Sequence, residues 1–147
     1  FTVRMSIGYP APEDERNMVL NRQNGNPLEL VRQVVTRGEL VSMQDQAAAV
    51  YMKEALVDYV VALVGATRDH PLIARGASPR ATLSVTAMAK AAAFIQGRDY
   101  VVPKDVQAVF VSTVAHRLLM TPESEARGAT AELVLEDILK STPSPRI

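Results

Sequence analysis

The chain has 147 residues, of which 48% are hydrophobic and 22% are charged, a balance that is typical of one globular domain and excludes a disordered tail. Its 16 Lys and Arg residues equal its 16 Asp and Glu residues, so the sequence lacks the basic excess of most nucleic-acid-binding proteins. It has no cysteine, which excludes disulfides and thiolate metal sites and favours a cytoplasmic location.

The first seven residues have the alternation of a β-strand. Phe1, Val3, Met5 and Ile7 are apolar and the residues between them are polar, which predicts a strand over residues 1–7 with one buried face. The rest of the sequence offers no large sheet for this strand to join. We therefore expect the strand to be poorly anchored here, or to take its partners from another chain or from sequence upstream of it.

The remaining sequence is mostly helical in pattern. Thr36 and Glu39 have the spacing of a capping box, and Gly97 suits the end of a helix. Helical spacing of apolar residues and such end signals predict helices over about residues 12–22, 36–48, 53–68, 79–96, 103–119 and 131–140. Short strands are predicted at 50–52 and 100–102, a turn at 24–27, and a loop at 121–128. The predicted fold class is mainly α, with a few very short strands.

The sequence shows little chemistry of its own. It has no glycine-rich phosphate loop followed by Lys and Ser or Thr, and no acidic pair after a buried strand that would hold magnesium. His70 and His116 lack metal-ligand spacing, so we predict structural roles for both and no metal site.

One segment, residues 76–80, indicates anion binding. It is a turn that leads into a helix, in which Ser78 can cap, Pro79 suits the first helical position and Arg80 lies in the first turn. A cation there opposes the helix dipole. Free amide groups and a forked guanidinium at a helix start can together hold a phosphate. The alternative is that Arg80 pairs with a surface carboxylate.

Three further arginines, Arg68, Arg75 and Arg98, lie near predicted loops. They could form a second anion-binding edge, or they are solvated charges or subunit contacts. The neighbours Arg98 and Asp99 are predicted to form a local ion pair.

Several strings in this sequence resemble the MoxR family of AAA+ ATPases, in order and over nearly the whole chain. The most specific is Gly-Ala-Ser-Pro-Arg-Ala at residues 76–81, followed by residues 97–106. The other matching strings are at residues 1–12, at 59–64 with 66–68 and Pro71, at 116–118, and at 138–139 with Pro143 and Pro145.

The resemblance implies specific site residues. Arg80 matches the second sensor, an arginine that contacts the terminal phosphate of ATP and takes part in its hydrolysis. Ser78 is a candidate nucleotide contact beside it. Tyr9 and Pro10 match positions near the base of the nucleotide or at the hinge.

The resemblance also implies a domain plan. Residues 1–12 match the last strand of an ATPase core and the hinge, residues 13–140 form a helical lid, and residues 141–147 form a loose tail. The rest of the core is expected upstream of Phe1. The full-length protein is then expected to hydrolyse ATP with magnesium, whereas this fragment alone is expected neither to be an enzyme nor to carry a cofactor.

The family resemblance further implies a ring oligomer that remodels client proteins in the manner of a chaperone. The expected partners are the lid's own core, neighbouring subunits and a von Willebrand factor A domain protein, without nucleic acid or membrane insertion. Two alternatives stay open. One is the lid of a magnesium-chelatase-like ATPase, and the other is a stand-alone helical interaction module without a nucleotide role.

Overall fold

The structure is a computed structural model that describes residues 1–23 and 25–146, so Asn24 of the predicted turn and Ile147 of the predicted tail lie outside the described residues. The chain divides into two compact units. The small unit is Met5–Ser42, and the large unit combines Phe1–Arg4 with the chain from Met43 onward. The predicted boundary between a core segment and a lid at residues 12 and 13 stays a prediction.

The small unit contains α1 (Pro12–Gln23), a 3₁₀ helix (Pro27–Leu30) and the first half of α2 (Arg37–Ala49). The predicted capping box at the start of α2 is confirmed. The Thr36 amide donates to Glu39 Oε2 at 2.7 Å, and the Glu39 amide donates to Thr36 Oγ1 at 3.2 Å. Hydrogen bonds from the Thr36 amide and hydroxyl lower the pKa of the Glu39 carboxyl.

The large unit holds the remaining regular structure. Its strands β1 (Ile73–Arg75) and β2 (Leu119–Met120) pair antiparallel, with Ile73 opposite Met120. Its helices are α3 (Glu54–Ala66), α4 (Pro79–Ile95), α5 (Pro103–Val114), α6 (Pro122–Ala126) and α7 (Ala131–Ser141), and a 3₁₀ helix (Ala115–Arg117) follows α5. The predicted mainly helical class is confirmed. None of the helices in the described ranges combines the length and the apolar character that crossing a membrane requires.

The core of the large unit forms where α4 packs against α5, with α3 and α7 completing it. The face of α4 that points inward is made of small side chains, including Ala81, Ala89 and Ala93, all fully buried. Small residues let the backbones of neighbouring helices approach closely, and Phe110 of α5, also fully buried, fills much of the space between them.

The strand predicted for residues 1–7 does not form, since residues 1–11 are neither helix nor strand. A strand needs the backbone of a partner strand, and no described strand pairs with this segment. Phe1, Met5 and Ile7 are exposed. The first residues are nevertheless anchored, because the Arg4 amide donates to the Ser112 carbonyl at 2.9 Å.

Other elements differ from the predictions in extent. The short strands expected at 50–52 and 100–102 reduce to one parallel bridge between Tyr51 and Tyr100. The fifth predicted helix ends at Val114 because the 3₁₀ helix and β2 take over its last turns. The loop expected at 121–128 contains α6, whose first turn is capped by Thr121 Oγ1.

Candidate functional site

The turn before α4 is fixed by an unusually close approach at Gly76. A Cβ atom on Gly76 would lie 2.5 Å from the Thr67 carbonyl oxygen and 2.7 Å from Arg68 Cα. Both neighbours are backbone atoms at the end of α3, which cannot move aside as a flexible side chain would. Glycine is therefore required for the turn to lie against α3.

The next residue, Ala77, ties the turn to α3 by hydrogen bonds. Its buried amide donates to Thr67 Oγ1 at 3.0 Å, and that hydroxyl donates in turn to the Val64 carbonyl at 2.7 Å. The Ala77 carbonyl accepts a bond from Arg68 Nε at 3.0 Å. Arg68 thus has a structural partner, and the entry to α4 has a rigid base.

Helix α4 then begins as the sequence predicts. Ser78 occupies the N-cap position with extended backbone (φ −75°, ψ 165°), and Pro79 is the first helical residue. The Ser78 side chain, however, makes no capping hydrogen bond, and the first turn carries no acidic residue. The positive end of the α4 dipole is therefore left without a side-chain acceptor.

Arg80 follows at the second position of α4, where it is exposed. Its guanidinium makes no hydrogen bond and no ion pair with any residue in the described part of the chain. The surface carboxylate that was the alternative partner is thus absent among the described residues. The guanidinium and the amide end of α4 are both positive, and no side chain among the described residues pairs with the guanidinium or caps the helix.

The other two candidate contacts, Tyr9 and Pro10, belong to the small unit. Both are exposed, and Tyr9 is as accessible as in an extended peptide, at 101%. Their roles as nucleotide contacts stay predictions, as do those of Ser78 and Arg80.

The predicted ion pair between Arg98 and Asp99 is wrong. Arg98 instead forms a forked pair with Asp105 on α5, with nitrogen to oxygen distances of 2.6 and 2.8 Å. Asp105 also accepts a bond from the Val102 amide at 2.8 Å. Burial would raise the pKa of Asp105, but the bonds from Arg98 and Val102 outweigh it and lower that pKa. The pair fixes the start of α5 and is unavailable as an anion site, whereas Arg75 is exposed.

The histidines have structural surroundings. His70 Nδ1 lies 3.2 Å from the Leu72 amide, which donates to it. His116 Nε2 lies 3.2 Å from the Phe1 carbonyl oxygen. Within the described ranges, no group of three or more His, Asp and Glu side chains is arranged to hold a metal ion.

Sequence reasoning missed two functional supports. No site role was predicted for Thr67, although its buried hydroxyl accepts the hydrogen bond of the Ala77 amide. Arg117 was noted only within a matching string, although its guanidinium bonds to Ser84 of α4 at 3.1 Å. The signal available for Thr67 was a hydroxyl at the end of an otherwise apolar stripe.

Comparison with known proteins places this geometry in a family. The family model described as AAA lid domain matches residues 65–138, which include the turn at Gly76 and the whole of α4. The chain is 36% identical to "Chaperone MoxR1" of Mycobacterium tuberculosis across its full length, and 34% identical over 86 residues to "Protein MoxR" of Methylorubrum extorquens. A solved structure of a candidate ATPase from Cytophaga hutchinsonii superposes on 99% of the chain with a TM-score of 0.92 and 28% identity.

The chain belongs to the AAA lid domain family. More narrowly, it is homologous along its length to MoxR-family AAA ATPases. The chain spans 41% of MoxR1, 25% of the Methylorubrum protein and 47% of the solved Cytophaga chain. Each of these relatives therefore has more sequence than the part that matches this chain.

Proposed function

We propose that this chain is the nucleotide-sensing lid of a MoxR-type AAA+ ATPase, and that Arg80 contacts the terminal phosphate of ATP with magnesium bound to an ATPase core. The observation that carries the proposal is the exposed Arg80 guanidinium at the start of α4, without a partner among the described residues. Such a group stabilises the charge that spreads over the transferring phosphoryl oxygens.

The helix start supports the same role. The amide end of α4 carries a partial positive charge that opposes Arg80, and neither Ser78 nor an acidic side chain of the first turn neutralises it. An arriving phosphate relieves this repulsion and accepts from both groups. The local arrangement is therefore mildly unfavourable without an anion and favourable with one.

The rigid base of the turn suits a sensor. Gly76 and Ala77 hold the entry of α4 against the end of α3 through backbone contact and two hydrogen bonds. Because the start of α4 is held rigidly, a displacement of the Arg80 guanidinium with the phosphate would move the whole large unit and would not be absorbed by local bending of the turn. Loss of the terminal phosphate would then release the large unit as one body.

At the level of the whole protein, we propose a ring of such ATPases that remodels client proteins. The similarity to Chaperone MoxR1 of Mycobacterium tuberculosis supports the remodelling role. The partners would be the lid's own core, neighbouring subunits and a von Willebrand factor A domain protein, in the cytoplasm. Tyr9 and Pro10 would lie near the base of the nucleotide or at the hinge.

The test is ATP turnover by the full-length protein carrying Arg80→Ala. We expect kcat to fall by about 10²-fold or more, the effect of removing one preorganised donor to a developing charge. Arg80→Lys keeps the charge without the fork and should retain an intermediate rate.

The matched control is Arg127→Ala, because Arg127 is also exposed and its side chain has no partner among the described residues. It should turn over ATP normally. Circular dichroism should show both Arg80 variants folded, since the exposed Arg80 side chain makes no hydrogen bond or ion pair among the described residues. Near-normal turnover by a folded Arg80→Ala protein would overturn the sensor role.

A further inference from the structure

The Arg117 guanidinium connects three distant parts of the large unit. Arg117 Nε donates to the Thr113 carbonyl of α5 at 2.9 Å. Arg117 Nη2 lies within hydrogen-bonding distance of Ser84 Oγ on α4 at 3.1 Å, of the Phe1 carbonyl oxygen at 3.0 Å and of the Thr2 carbonyl oxygen at 3.3 Å. One side chain thus joins α5, α4 and the first residues of the chain.

The hydrogen bonds that hold residues 1–4 involve their main chain. His116 Nε2 also approaches the Phe1 carbonyl, at 3.2 Å, and the Arg4 amide donates to the Ser112 carbonyl at 2.9 Å. The Phe1 ring is fully exposed. The only side chain of the segment with an ion pair is Arg4, 3.6 Å from Glu132, and that pair is exposed, so it adds little. The end of α5 and the 3₁₀ helix after it therefore hold residues 1–4 mainly through hydrogen bonds to their main chain.

The same network reaches the sensor. Ser84 lies one helical turn after Arg80, and Ser84 Oγ donates to the Arg80 carbonyl oxygen at 3.0 Å. A path of three consecutive hydrogen bonds therefore runs from the backbone of residues 1–2 to Arg117, from Arg117 to Ser84, and from Ser84 to the Arg80 carbonyl in the first turn of α4.

We propose that Arg117 is a positioning residue that couples the main chain of residues 1–4 to the Arg80 end of α4. The forked guanidinium is suited to this because it holds several fixed acceptors at once, which a lysine ammonium cannot do with the same geometry. This inference rests on the proposed sensing role of Arg80. It adds that Arg117 links the position of residues 1–4 to the position of Arg80, so that a shift of this segment and a change in the phosphate contact occur together.

The first test is amide exchange in the full-length protein without nucleotide. Arg117→Ala should speed exchange of the Arg4 amide by about tenfold or more, because its segment loses charge-assisted hydrogen bonds. Amides in the centres of α4 and α5 should keep their protection, and Arg127→Ala should change none of them. Unchanged exchange at Arg4 would overturn the coupling.

The second test is ATP turnover in a double-mutant cycle. Arg117→Ala should lower kcat by roughly tenfold and alter KM less, and it should add little in an Arg80→Ala background, since residues that act through one another are not additive. Arg117→Lys should recover part of the rate. Fully additive effects of the two substitutions would overturn the proposal.

Ser84→Ala provides a variant that removes the link but leaves the guanidinium in place, and alanine is well tolerated in a helix. Ser84→Ala should lower kcat a few-fold, while exchange of the Arg4 amide stays near its rate in the unmodified protein. A normal kcat would overturn the path through Ser84.

The outcomes that overturn the two proposals are different. Normal turnover by Arg80→Ala removes the sensor and with it the role of Arg117 in sensing, whereas an additive cycle with an inactive Arg80→Ala removes only the role of Arg117.

Discussion

The two units of this chain are built on opposite principles. The large unit buries a continuous apolar core in which Leu56, Val85 and Phe110 are fully inaccessible. In the small unit every described residue is exposed, and the apolar side chains of Leu30 and Val34 keep 78% and 91% of their accessible surface. The large unit is stabilised by packing of its core, whereas the small unit is stabilised by local interactions within its helices and at their ends.

This difference indicates where the stability and the function of the chain lie. Helices of 12 and 13 residues such as α1 and α2 are marginal in water without tertiary packing. The capping box at Thr36 and Glu39 and the acidic first turn of α1 support them only locally. We therefore expect the small unit to open at a much lower free energy than the large unit, which carries Arg80, the proposed sensor.

The largest expected effect comes from the core. Phe110→Ala should lower the free energy of unfolding of the large unit by about 3–5 kcal/mol, the cost of a large cavity. Leu30→Ala, at an exposed apolar position of the small unit, should change it by less than about 0.5 kcal/mol. Urea unfolding followed by circular dichroism measures both. Similar losses for the two variants would contradict the contrast between the units.

A second prediction compares the capping carboxylates, Asp105 in the large unit and Glu39 in the small unit. Asp105→Asn should lower the unfolding free energy at pH 7 by about 1.5–3 kcal/mol, the range for hydrogen bonds to charged groups. The pKa of Asp105 is lowered from its ordinary 3.8, so its contribution is complete above that value and is lost as pH falls through the folded pKa.

Unfolding at a series of pH values from 7 to about 2 tests this, since the folded pKa lies below the unfolded one. The decrease in unfolding free energy at acid pH should be smaller in Asp105→Asn and should persist in the control Asp99→Asn, whose side chain is exposed. Glu39 has the same sign of shift, but its titration should change only amide exchange in α2. If the unfolding free energy of Asp105→Asn decreased at acid pH as much as that of the unmodified protein, the contribution of this carboxylate would be ruled out.

The smallest effect compares two glycines. Gly76→Ala places a Cβ against fixed backbone and should destabilise the large unit by about 1–3 kcal/mol. Gly38, in α2, has no atom within 4 Å of a Cβ, so Gly38→Ala should stabilise that helix locally by about 0.5–1 kcal/mol. Thermal unfolding measures the effect of Gly76→Ala, and amide exchange in α2 measures the effect of Gly38→Ala. A stabilised Gly76→Ala would mean that the turn does not press on α3.

Much of the fold could be predicted from the sequence because its signals are local. The capping box at Thr36, Pro79 at the first position of α4 and Gly97 at its end each act within a few residues. The predictions failed where a partner had to come from elsewhere. The strand predicted for residues 1–7 finds no partner strand among the described residues, and Arg98 bonds with Asp105, seven residues on, instead of with its neighbour Asp99.

The candidate site divides in the same way. Ser78, Pro79 and Arg80 could be found from the sequence, since a turn that leads into a helix with an arginine in its first turn is a local pattern. The Thr67 hydroxyl under Ala77 could not be found in this way, because its bond crosses between two elements. The Arg117 bonds to residues 1–2 join positions more than 100 residues apart, and no spacing in the sequence reports such a contact.

Apart from α6, the helices, the family resemblance and the position of Arg80 could be predicted from the sequence alone, because periodicity, capping and motif strings depend on neighbouring residues. Only the tertiary structure decided that Arg80 has no carboxylate partner among the described residues, that Gly76 is pressed against the end of α3, and that Arg117 joins α4 to the start of the chain. These facts depend on which distant surfaces meet, and packing of the whole large unit decides that.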